Sequence, residues 1–89
     1  MNEKELEKIL KALANGRRLA ILAYVKKHKE ATVGDIAGNL KLSFKSTSRH
    51  LSVLYAANIL EREQRSLYMH YKLSSALHSI AKHISKALE

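Results

Sequence analysis

Apolar residues keep a helical period over most of the chain. Leu6, Ile9, Leu10 and Leu13 fall at i, i+3, i+4 and i+7, one face of a helix predicted from about Glu3 to Ala14. Asn15-Gly16 interrupts it, and Asn15 is placed to cap the helix that follows. That second helix, predicted over 17–27, is apolar nearly all round, which suits the centre of a domain or a subunit interface. Thr32 with Asp35 three residues later resembles a capping box and opens a short third helix burying Val33, Ile36, Ala37 and Leu40. Lys41-Leu42-Ser43 is then a turn, with Ser43 as the cap of a fourth helix from Phe44 to about Ala57. Its Thr47, Leu51 and Leu54 face inward. Asn58, which tolerates the left-handed conformation, ends that helix.

The period then changes. Leu67, Met69, Tyr71 and Leu73 alternate with Tyr68, His70 and Lys72, which predicts a strand with the first set buried. Ile59 to Glu63 supplies its antiparallel partner, leaving Gln64-Arg65-Ser66 as the hairpin tip. A last helix from Ser75, capped by Ser74 or Ser75, presents Leu77, Ile80, Ala81, Ile84 and Leu88 on one stripe. The expected order is helix, helix, short helix, helix, hairpin, helix. This is a mainly α fold with a small β-hairpin, in a single domain over 1–89.

Composition narrows the picture. A chain of 89 residues makes one small domain with a thin core, so a partner would help it bury apolar surface. The apolar stripes of the two end helices are more than so small a domain can cover. A homodimer is therefore expected, paired through Leu6, Ile9, Leu10 and Leu13 of the first helix and Leu77, Ile80, Ile84 and Leu88 of the last. The chain has no proline and three glycines, Gly16, Gly34 and Gly38, in keeping with few tight turns. It has no cysteine, which excludes disulfides, thiolate metal sites and thiol catalysis. The longest apolar run, Leu19 to Val25, falls far short of the ~20 residues a membrane span needs. The opening Met1-Asn2-Glu3-Lys4-Glu5 lacks the basic-then-apolar order of a signal peptide, so a soluble, cytoplasmic protein without membrane partners is expected.

The net charge is +8, and between Ile36 and Leu60 there is no acidic residue while Lys41, Lys45 and Arg49 occur. Such a surface attracts polyanions, nucleic acid first. A short helix, a turn and a longer helix make a helix-turn-helix, and the basic hairpin after it makes a wing. The second helix of such a unit enters the major groove of double-stranded DNA. The residues expected to face outward are Phe44, Lys45, Ser46, Ser48, Arg49 and Ser52. Hydroxyls and free amides at the helix start, around Ser43, suit phosphate oxygens. Arg49 suits guanine, which it can bind at two atoms.

Four segments carry a family resemblance. Leu13 to Leu22 resembles the "LadptRlxIL" opening of the ArsR/SmtB-type winged-helix repressors, and Leu42 to Leu54 is similar to their recognition-helix signature "lsqstvSrHLxvL". Asn58-Ile59-Leu60 with Arg62, and Tyr71-Lys72-Leu73, resemble the two ends of their wing. The resemblance implies a homodimeric transcriptional repressor on a palindromic operator. In it Phe44, Lys45, Ser48 and Arg49 face the major groove, and the wing from Arg62 through Arg65 to Lys72 tracks phosphates or the minor groove. The family's glycines at the end of the recognition helix and at the wing tip are replaced here by Asn58 and Ser66.

Many members of that family release DNA on binding a metal, and neither of their sites is matched. One uses cysteines, of which there are none. The other uses carboxylates and histidines on the last helix, where this chain offers His78 and His83. Five residues apart, these lie about 140° around a helix, so one subunit cannot clamp one ion with both, and a site shared between subunits is the disfavoured alternative to surface histidines. No carboxylate follows them until Glu89, whereas zinc wants three or four ligands. No metal and no cofactor are expected, and the effector is unknown. His50, inside the recognition-helix signature, packs or touches phosphate; His28 and His70 stand alone. Catalysis is excluded on similar grounds. Asp35 is a cap, Glu61 and Glu63 sit among Arg62 and Arg65 as a solvated ion-pair surface, and no Gly-rich phosphate loop occurs. Sequence-specific repression is the leading function. An architectural or RNA-binding winged helix and a protein-interaction module are the alternatives, disfavoured by the few exposed aromatic stacking platforms and by the acid-free stretch respectively.

Overall fold

The computed structural model describes residues 1–88, and Glu89 lies outside them. The elements are α1 (Glu3–Leu13), α2 (Gly16–His28), β1 (Glu30–Thr32), α3 (Val33–Leu40), α4 (Phe44–Ala56), β2 (Leu60–Arg65), β3 (Tyr68–Leu73) and α5 (Ser79–Ala87). Every helix starts on a side chain that takes up a free amide, each such cap contributing about 1 kcal/mol. Asn2 accepts from Glu5, Asn15 from Arg18 and Ser43 from Ser46, at 2.8, 3.0 and 3.0 Å. Thr32 and Asp35 form the full reciprocal box that their spacing suggested.

α2 occupies the centre of the domain. Its Ile21, Leu22 and Val25 are fully buried together with Ile36 of α3, Leu51 and Leu54 of α4, and Ile59 and Leu60 at the start of the wing. Thr47, the buried polar residue of α4, donates its hydroxyl proton to the Ser43 carbonyl at 2.8 Å and so lies in the core without an orphaned group.

The sheet has a third strand that the periodicity did not show. β1 pairs antiparallel with β3 and completes the order β1-β3-β2. Three residues are too few for an alternation to register, and only Ala31 of the three is buried. Two further expectations about the hairpin need correction. β2 extends through Arg65, which pairs with Tyr68, so the tip is the two-residue turn Ser66-Leu67 and not Gln64-Arg65-Ser66. Ser66 takes φ 56° while Leu67 stays out of the left-handed region, as in a type II′ turn, the kind whose twist matches a hairpin. Leu67 thus belongs to the turn and is 86 % exposed; the buried alternation begins at Met69 and runs through Tyr71 and Leu73.

The last helix also starts later than expected. Ser75 donates its amide and hydroxyl to Glu61 Oε2 at 3.3 Å, and Ser74 Oγ accepts from the Ala76 amide at 3.2 Å, so these serines hold a turn. His78 is the cap instead, its Nδ1 accepting from the Ile80 amide at 3.2 Å. Leu77 therefore precedes α5 and is half-buried beside it, while Ala81 and Ser85 point into the core. At the other end of α5, Lys26 of α2 donates its ammonium to the carbonyls of Ser85 and Leu88 at 2.7 and 2.9 Å. That cation satisfies the free carbonyls at the negative end of the helix dipole.

Among the described residues four have positive φ, Lys29, Lys41, Asn58 and Ser66, and none of them is glycine; of these Lys41 is in the left-handed helical region. Gly16, Gly34 and Gly38 all lie within α2 and α3 at ordinary helical angles.

Candidate nucleic-acid interface

α3, the turn 41–43 and α4 form a helix-turn-helix. Lys41 closes α3 in the left-handed conformation, and the Leu42 amide reaches back to the Ala37 carbonyl at 3.0 Å. The α4 start then projects from the domain. Phe44, Lys45, Arg49 and Ser52 are exposed, and Ser46 and Ser48 are half-exposed beside them. Ser43, Lys45, Ser46 and Arg49 line one shallow depression, with no acid among them. These are the outward residues that the period of 3.6 assigned to this helix.

His50 lies on a different side. It is half-buried, and its Nδ1 sits 3.4 Å from an Arg18 guanidinium nitrogen. Arg18 also donates to the Ala12 and Lys11 carbonyls at 2.7 and 3.0 Å, so one guanidinium ties the end of α1 to the middle of α4. Burial, and then the charges of Arg18, Arg17 and Arg49, hold the His50 imidazole below its usual range and neutral. It is thus half-buried against Arg18 beside the outward face of α4. The three arginines gather around it, and the sequence reading had assigned a site role only to Arg49. Arg18 and His50 are 32 positions apart, and only the fold brings them together.

The wing cations fall into two kinds. Arg62 stacks on the Tyr55 ring at 3.9 Å and remains exposed. Arg65 makes a two-pronged pair with Glu30 at 2.7 and 2.9 Å and reaches Glu63 at 2.7 Å, and Lys72 pairs with Glu61 at 3.3 Å. The Arg65 hydrogen bonds are the main reason that the Glu30 and Glu63 carboxyls are held below the ordinary carboxylate range. Glu30, on the unforeseen strand β1, is the residue that the sequence reading missed here.

The residues expected at a dimer interface separate in the same way. Ile9 and Leu13 are buried in the protomer's own core together with Ala12. At about 100° per residue, Leu6 and Leu10 stand to one side of Ile9. They line an apolar groove along α1 with Ala14, bordered by Glu3, Glu7 and Lys11, and Leu10 is 45 % exposed. Leu77, Ile80, Ile84 and Leu88 are each half-buried. His78 is occupied as a cap and His83 is exposed on α5. Among the described residues no three His, Asp or Glu converge as a metal site, and no helix is long and apolar enough to cross a membrane.

Residues 15–62 match the family of bacterial regulatory proteins described as arsR. Over 82 residues the chain is 35 % identical to the transcriptional activator HlyU of Vibrio cholerae, the match spanning 84 % of this chain and 75 % of HlyU. The structure of reduced HlyU superposes with a TM-score of 0.82 at 31 % identity, over 98 % of this chain and 87 % of HlyU. The transcriptional repressor PagR of Bacillus anthracis gives 0.81 at 28 % identity, over 97 % of this chain and 94 % of PagR. NolR of Sinorhizobium fredii gives 0.80 at 33 %, over 96 % of this chain and 81 % of NolR. A capped helix-turn-helix with an acid-free outward face, a winged sheet and these likenesses agree: the chain belongs to the arsR family of bacterial transcriptional regulators, with the family's winged helix-turn-helix fold.

Proposed function

We propose that this regulator acts as a homodimeric repressor that binds a palindromic operator in double-stranded DNA and takes no metal signal. The observation that carries this reading is the start of α4, where Ser43, Lys45, Ser46, Ser48 and Arg49 are presented together without an acidic neighbour. Arg49 reads a base edge. Lys45, Arg62 and, once released from their carboxylates, Arg65 and Lys72 contact phosphate. The relatives carry both regulatory signs, HlyU as activator and PagR as repressor. Repression follows from occupying the operator alone and needs no second contact surface. A second copy of the chain covers the Leu6–Leu10 groove and the half-buried residues of α5. It sets two recognition helices about 34 Å apart, one turn of DNA.

The test is selection of duplexes from a random pool, followed by salt-titrated binding of Arg49→Ala to the selected operator and to scrambled DNA. The substitution should cost about 1–3 kcal/mol on the operator, flatten preference at one position per half-site, and leave scrambled DNA nearly unaffected. Equal losses on both duplexes would refute base reading by Arg49.

A further inference from the structure

Phe44 is the only phenylalanine of the chain, and it is 64 % exposed. A large apolar ring at the surface forgoes the stabilisation that burial would give it, so it is available to an apolar group of a bound partner. Its place in the fold says what. Phe44 is the first residue of α4, directly after the cap Ser43, at the end of the recognition helix that the helix-turn-helix geometry directs to base edges. Around it stand Lys45, Ser46 and Ser48, and a turn further on Arg49, none of them an apolar neighbour to pack on. The surrounding charge is that of a surface for nucleic acid. On the floor of the major groove the one apolar feature is the 5-methyl group of thymine, which aliphatic and phenyl groups contact.

We infer that Phe44 is a specificity-determining residue which reads a thymine methyl in each half-site. This rests on the DNA-binding reading above and names one base class that it recognises. Lys45 and Arg49 supply attraction and hydrogen bonds on either side of the ring. Phe44 has no hydrogen-bonding group, so its whole discrimination comes from taking a methyl out of water. Burying one methyl-sized group corresponds to about a fourfold change in affinity, and two half-sites to about fifteenfold.

The experiment replaces each thymine of the selected operator by deoxyuridine, which removes the methyl and keeps every hydrogen-bonding group. Wild type should lose about fourfold at one position in each half-site, and about fifteenfold when both are changed. Phe44→Ala should bind the thymine and deoxyuridine duplexes equally, and Phe44→Leu should retain part of the preference. Since Phe44 packs on little of the domain, the fold of both variants should persist, and their equal affinity for scrambled DNA checks it. Wild-type binding indifferent to deoxyuridine at every position would overturn the assignment, as would an undiminished methyl effect in Phe44→Ala. A pool that yields no preferred duplex at all would instead refute the DNA-reading function, and the methyl contact with it.

Discussion

Arg18 shows how much of this molecule depends on single side chains. Its guanidinium holds carbonyls in the last turn of α1 and one nitrogen of His50, adding a polar tie between two helices that also share the apolar core. The bond to His50 requires a ring nitrogen with a free lone pair, which the protonated imidazole lacks. The arginines around the ring reinforce that requirement. A pH effect of defined sign results. In the unfolded chain His50 titrates near 6.5, whereas in the folded chain it resists protonation to lower pH. The unfolded state therefore takes up the proton first. The stability that neutral His50 supports is fully present above 6.5 and is lost as pH falls through the lower, folded value. Urea midpoints between pH 7.5 and 5 should fall more steeply for wild type than for His50→Asn, whose amide oxygen accepts the Arg18 bond without titrating. Parallel curves would show that His50 is not the group responsible.

At the scale of elements, what the sequence discloses depends on how many residues carry a pattern. α1 was legible from its apolar stripe alone, and α2, α3 and α4 because each combines several apolar positions with a capping side chain that acts locally, Asn15, Thr32 and Ser43 respectively. β1 was not, because three residues carry no period, and its existence depends on pairing with β3, some forty positions away. The start of α5 was misread for a related reason: Glu61 across the sheet takes the Ser75 groups that would have made a local cap. The outward face of α4 came through whole. The wing did not, since the sequence shows that Arg65 is positive but not that Glu30 lies against it.

That hidden pairing gives the wing a testable property. Glu30→Gln should free one prong of Arg65 for phosphate. Affinity should then rise on operator and scrambled DNA alike, and the slope of log affinity against log salt should steepen by about 1 per subunit. An unchanged slope would mean that Arg65 stays clear of DNA even when released.

At the scale of the whole molecule, the open groove on α1 and the half-buried residues of α5 call for a second copy. Light scattering should give about twice the 10.1 kDa chain mass at micromolar concentration. Leu10→Glu should give the single-chain mass and lose tight operator binding, while retaining its fold, because Leu10 lies outside the protomer core. A dimeric Leu10→Glu would move the interface away from α1. The distribution of glycine bears on a different matter, how near this sequence stands to its own stability optimum. The positive-φ positions are taken by lysine, asparagine and serine, whereas the glycines occupy helices, where a methyl group at position 38 would meet nothing within 4 Å beyond its own helical turns. Gly38→Ala should therefore add about 1 kcal/mol, read as a higher melting temperature. Glycine at Lys41 or Ser66 would relieve left-handed strain of the same order. A regulator with so much stability left unclaimed in its backbone has ample room to change its DNA-facing residues, because losses from new recognition chemistry could be offset at positions that touch no part of the site.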